Sequence, residues 1–220
     1  MAYPTVDKPY GLKPINLIGG QVFAGSTRQR RIASGAGSIG FGDPVKFASD
    51  GTIVVCTETT TPPAAGFAGV FLGCTFVSSV TGQPTYSQQW TSGTSVKANT
   101  YILAYVADDP NTLFKAVGVT ASLVVSTTGG FTYSNVGNNV ALVANTLDTS
   151  SGDSQQGLLV SSASTTLSLP VRIVDVVEDT AFVSSGTTYY PEVIVKFNAP
   201  YISDTSLVLG GHAYNNPTGI

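Results

Sequence analysis

An all-β fold, with a β-barrel or β-sandwich body, an extended N-terminal arm and a C-terminal tail, is predicted by three observations. Apolar residues alternate or come in short runs and almost never recur at helical spacing. The runs are broken at short intervals by Gly, Pro, Asn and Asp, with 24 glycines and 12 prolines among 220 residues. Hydrophobic residues make up 42%, enough for one large β domain or two small ones to bury a core.

Residues 1–20 carry Pro4, Pro9 and Pro14 with Tyr3 and Tyr10 between them. Proline at that spacing excludes a helix and favours an extended arm. The arm also carries Leu12, Ile15, Leu17 and Ile18, which is too apolar for a solvated linker. It lies on its own domain or on a neighbouring subunit. In the second case Tyr3, Tyr10, Leu12 and Ile15 are contact residues, and the arm matters more for attachment than for folding.

The body is expected over residues 21–200. Strands are predicted at residues 45–47, 53–56, 69–76, 101–106, 113–119, 171–177 and 193–197. In the last, Val193, Val195 and Phe197 share one face and Glu192, Ile194 and Lys196 the other. Ser49-Asp50-Gly51-Thr52 and Val80-Thr81-Gly82-Gln83 read as hairpin turns. Asp108-Asp109-Pro110-Asn111 reads as a turn because Asp bonds nearby backbone and Pro fixes φ. A short helix is expected over residues 134–142, capped by Ser134. Residues 122–166, rich in Ser, Thr and Gly, are expected to form long loops or an exposed lobe. Residues 201–220 form a tail in which Tyr214 is a candidate contact.

Charge and composition exclude several functions. Ten basic and 13 acidic residues give a net charge of −3, without the concentrated basic face that nucleic acid requires. A membrane partner is not expected either. The first residues lack the basic and apolar regions of a signal peptide. The most apolar stretch, residues 64–76, is interrupted by Gly66, Gly69 and Gly73 and is shorter than the roughly 18 residues a spanning helix needs. Charged residues are only 10% of the chain, which suits a surface packed against copies of itself or partners.

No constellation for catalysis, metal or cofactor binding is complete. Gly35-Ala36-Gly37-Ser38-Ile39-Gly40 matches a dinucleotide fingerprint by letter, but Pro44 follows where the helix should run. His212, the single histidine, sits in a Gly-rich tail with no nucleophile elbow elsewhere. Cys56 and Cys74 read as buried thiols, one disulfide being the alternative. Asp108 with Asp109, and Glu178 with Asp179, are sequence neighbours at strand ends and cannot face each other across a cleft. For the first pair a calcium ion is the alternative. Arg28, Arg30 and Arg31 form either a solvated edge that resists strand pairing or a set of guanidinium groups that fork onto a partner's carboxylates. Trp90 either caps the body or, with Tyr86 and Tyr101, stacks on carbohydrate.

The chain resembles a family of tailed-phage head proteins. The matching segments keep their order through most of residues 9 to 200. Pro9-Tyr10-Gly11-Leu12-Lys13-Pro14 and Gly19-Gly20 come first. Gly42-Asp43-Pro44-Val45-Lys46 and Asp50-Gly51-Thr52-Ile53 follow. Then come Gly69-Val70-Phe71-Leu72-Gly73-Cys74, Gly82-Gln83-Pro84 and Gln88-Gln89-Trp90. Ala104-Tyr105-Val106-Ala107-Asp108-Asp109-Pro110 and the strands near Val171 and Glu192 close the set. Residues 122–166 depart from the pattern. The resemblance implies a non-enzymatic capsid cement, or decoration, protein on the outside of the virion, without cofactor. Its implied partners are the major capsid protein and itself, as a homotrimer. Another virion component, or a carbohydrate-binding module, is the rival expectation.

Overall fold

The computed structural model describes residues 6–64, 66–126, 128–198, 201–202 and 208–209. Tyr3, His212 and Tyr214 lie outside them. In chain order the described strands are β1 (Lys13–Leu17), β2 (Arg28–Arg31), β3 (Pro44–Phe47), β4 (Ile53–Val55), β5 (Phe67–Val77), β6 (Pro84–Ser87), β7 (Leu103–Ala107) and β8 (Thr112–Val119). They continue with β9 (Asn139–Val140), β10 (Leu142–Val143), β11 (Gly157–Leu159), β12 (Val171–Val176), β13 (Phe182–Ser184), β14 (Thr187–Tyr189), β15 (Glu192–Phe197), β16 (Tyr201–Ile202) and β17 (Val208–Leu209). The protein is all-β, as the alternation predicts. Helix among the described residues is limited to three 3-10 turns.

Two sheets make the body. The first runs β2-β7-β5-β3-β4, with β6 also on β5. Its ends meet where Ile32 bridges Ile53 and the Ala33 N–H donates to the Ile53 carbonyl at 3.1 Å, so the sheet is nearly a closed barrel. Ile39, Val45, Ile53, Phe71, Cys74 and Val106 fill its interior. The second sheet runs β10-β11-β8-β15-β12-β9, with β1 on the free part of β8. Its core holds Phe114, Leu158, Ile173, Val193, Val195 and Phe197. Phe67 from the barrel stacks on Phe197 at 4.3 Å and joins this second core.

Strand β5 serves both cores, and two glycines make that happen. Strict alternation sends every second side chain to one face. Phe67 and Val70 nevertheless both face the second core, while Phe71 and Cys74 both face the barrel interior. The face is reset at Gly69 (φ 139°) and Gly73 (φ 129°), next to register shifts in the pairing with β3 and β7. A Cβ at Gly69 would lie 2.4 Å from the Ala107 carbonyl oxygen, so no other residue fits there without displacing backbone.

The turns at Asp50-Gly51 and Gly82 form as the sequence predicts, with Ala48 N–H to Thr52 O at 2.8 Å and Ser78 N–H to Gln83 O at 3.0 Å. The Asp109 carboxylate accepts the Asn111 N–H at 2.8 Å and its carbonyl the Thr112 N–H at 3.0 Å. Cys56 and Cys74 are both buried and free. Burial and the neighbouring Glu58 push the Cys56 thiol far up, and burial pushes Cys74 to about 11.

Three expectations are corrected. The helix over residues 134–142 is a single 3-10 turn, Tyr133–Asn135, followed by β9 and β10. The Asn135 side chain accepts the Thr132 N–H at 2.8 Å, so Thr132 and not Ser134 stands at the cap, and Gly137 (φ 89°) ends any helix. The described part of residues 122–166 is mostly loop, one of the two forms expected, but it is not an exposed lobe. It places Phe131, Val140, Leu142 and Leu158 in the second core. Polar composition misleads here because buried Asn139, Ser154 and Gln156 are hydrogen-bonded inside the body. Of the two placements open for the arm, residues 10–17 take the first, on their own body, so the expectation that they serve attachment more than folding is corrected. β1 pairs antiparallel with β8, and Leu12, 2% exposed, is a core residue. Its backbone is tied as well, through Gly11 N–H to Gln156 O at 3.0 Å and Leu12 N–H to Gly42 O at 2.9 Å.

Candidate functional site

Tyr10 leaves the arm and reaches the Glu192 carboxylate. Glu192 is 4% exposed and also pairs with Lys115 at 3.0 Å. The Lys13 ammonium lies 4.3 Å from the Tyr10 ring centroid. Burial, with the bond to Glu192, holds the Tyr10 phenol far above its usual pKa, so the donor stays protonated at physiological pH. Of the four arm residues expected at a contact, Leu12 is buried in the core, Tyr10 and Ile15 are half-buried on their own body, and Tyr3 is outside the described residues.

The arginine cluster sits on β2, the edge strand that pairs with β7. Its guanidinium groups do not all await a partner. Arg28 Nε lies 3.1 Å and Arg30 Nη2 3.3 Å from Asp108 Oδ2, and Arg30 also lies over the Phe47 ring. Asp108 therefore serves as the cluster's counter-ion, which the antiparallel register of Arg28 with Val106 makes near at hand. Arg31 points the other way, as alternation requires, and stacks 3.6 Å from the Tyr101 ring centroid. Beside it opens a cleft of about 410 Å³ lined by Arg31, Asp50, Lys97, Asn99 and Tyr101.

Trp90 is 5% exposed and packs edge-on against Phe76 in the barrel core, which removes it as a sugar platform. Its backbone exchanges hydrogen bonds with Ile39 at 2.9 Å in both directions, so it caps the barrel. Tyr86 and Tyr101 are exposed, on separate strands or loops. The glycine run at residues 35–40 is a loop. Its last amide, Gly40 N–H, donates to Asp43 Oδ2 at 2.7 Å. Glu178 and Asp179 lie in a 3-10 turn at a strand end. Among the described residues no group of three His, Cys, Asp or Glu side chains could hold a metal ion. No helix among them is long and apolar enough to cross a membrane.

The structure adds features the sequence reading missed. Val22, Val80 and Leu167 stand well out into solvent. Asp43, 1% exposed, ties barrel to sheet, accepting from Gln156 Nε2 at 3.2 Å as well as from Gly40. A second cleft, of about 330 Å³, opens on the outer face of the second sheet around Arg172 and Lys196. Asp43 and Val80 had sequence signals, the turn-like Gly42-Asp43-Pro44 and the Val80-Thr81-Gly82-Gln83 turn. The others are created by strand pairing. Comparison with protein-family models, curated proteins and solved structures finds no match.

Proposed function

We propose that the protein is a non-enzymatic structural component of a virus particle, a cement protein on the head of a tailed bacteriophage. The observation that carries this reading is an all-β body in which only 10% of residues are charged while large apolar side chains such as Val22, Val80 and Tyr86 project singly from its surface. Such a surface is suited to many weak contacts with neighbouring protein. The ordered resemblance to phage head proteins gives the partner, the major capsid protein, and the form, a homotrimer.

The physical task is to hold capsomers together against the outward push of packaged DNA. A trimer that touches several subunits weakly holds them strongly, because each further contact is intramolecular. Since residues 10–17 are committed to their own sheet, the grip falls on exposed loops and clefts of the body. The test is sedimentation of the purified protein with heads lacking their cement, followed by particle reconstruction. Density at the junctions between capsomers is expected. Failure to co-sediment, or binding to tails instead, overturns the reading.

A further inference from the structure

Two pairs of like charges face each other across strands of the second sheet, and their surroundings differ. Lys13 stands opposite Lys115 across β1 and β8, where Glu192 pairs with Lys115 and the Tyr10 ring lies beside both ammonium groups. Arg172 stands opposite Lys196 across β12 and β15. No carboxylate among the described residues pairs with either side chain. Like charges in direct cross-strand register repel. On a chain of net charge −3, the first pair carries its own anion and the second does not.

Arg172, one member of this pair, is held in place. Arg172 Nε donates to Asn139 Oδ1 at 3.0 Å. Asn139 is 1% exposed, and its Nδ2 donates to the Thr166 carbonyl at 2.9 Å. That anchor uses the inner nitrogen of the guanidinium and leaves the two terminal nitrogens of this exposed, cleft-lining side chain to receive a carboxylate end-on. Ile18, 50% exposed, with Val136 and Val174, walls the cleft of about 330 Å³, and no acidic residue lines it.

We infer that this cleft is a docking site for an extended protein segment that carries a carboxylate beside an aliphatic side chain. The carboxylate completes the pair as Glu192 completes the other, and the aliphatic group covers Ile18 and Val136. Fixing Arg172 beforehand reduces the ordering cost of binding. The inference does not depend on the assignment to a phage head, and it holds for any partner that presents such a segment.

The test follows backbone amide resonances of the full chain during titration with a capped six-residue peptide holding one glutamate between two valines. Saturable shifts at Gly137, Ile173 and Lys196 are expected, weakened by high salt. The same peptide with glutamine in place of glutamate should bind roughly ten-fold or more weakly. The R172Q/K196Q variant should keep a dispersed spectrum and lose the preference for glutamate. The single variant K196Q should lose part of it, so that the measurement stands even if the double variant unfolds. Equal binding of the two peptides, absence of saturation, or shifts confined to other residues overturns the inference. So does inorganic phosphate saturating the same amides while the glutamate peptide does not, which marks a small-anion site.

Discussion

The barrel takes its six strands from residues 28–107, whereas the second sheet gathers its seven from residues 13–197. In the barrel, β3 and β4 form a hairpin around Asp50-Gly51, and local turn chemistry helps set the pairing. In the second sheet, β8 takes β1 from the far N-terminus, β11 in parallel, and β15 from nearly 80 residues further on. Local pairing leaves its mark in turn residues. Distant pairing leaves only the apolar face of each strand, which names no partner.

The contrast is broken most severely by removing β1. Deleting residues 1–18 takes Leu12 from the core, and loss of one such leucine alone costs about 2–5 kcal/mol. Exposure of the β8 edge adds to that. The loss of Leu12 alone should lower the melting temperature by roughly 4–20 °C, at roughly 2–4 °C per kcal/mol, and the shortened chain should melt lower still or fail to fold. A melting temperature equal to that of the whole chain would show that the second sheet does without its first strand.

The joint between the regions comes next. Asp43→Ala leaves the Gly40 N–H and the Gln156 amide without their buried acceptor, a loss of about 2–3 kcal/mol read by chemical denaturation. Burial raises the Asp43 carboxyl, against the opposing hydrogen bonds from Ser154, Gly40 and Gln156. The folded protein thus holds this proton more tightly than the unfolded chain does. Its contribution to stability is fullest at low pH and falls as pH rises from the ordinary carboxylate range through the folded-state value. Asp43→Asn should flatten that part of the stability–pH profile.

Tyr10→Phe is a smaller change. It removes one donor to Glu192 while the Lys115 pair remains, so about 1–2 kcal/mol should be lost in the same measurement. The smallest effect concerns the thiols. Cys56 and Cys74 are buried with raised pKa values, one in each core, and neither should react with a thiol reagent at neutral pH until the chain unfolds. If one reacts first, it reports which region opens first.

Most of the fold's parts were legible in the sequence. The seven predicted strands fall on β3, β4, β5, β7, β8, β12 and β15, because alternation and turn residues are local properties. The candidate site was less legible. Arg28 and Arg30 looked available to a partner because Asp108 lies 78 residues beyond Arg30 in the chain, and only the β2–β7 register brings it within 3.3 Å. For Trp90 the sequence left a cap of the body and a sugar platform both open, and the ring buried against Phe76 is the cap.

The all-β class, the positions of the principal strands and their turns, and the low charge are all written in the sequence. Each follows from short-range rules: a two-residue side-chain period, the φ preferences of Gly and Pro, and composition. The folded arrangement alone puts residues 10–17 on the body, sends Phe131, Val140, Leu142 and Leu158 into the core, and sets Arg172 opposite Lys196 with no carboxylate of the described residues paired to either. Those outcomes depend on which strand edges pair, and edge pairing is set by apolar surface buried between segments far apart in the chain.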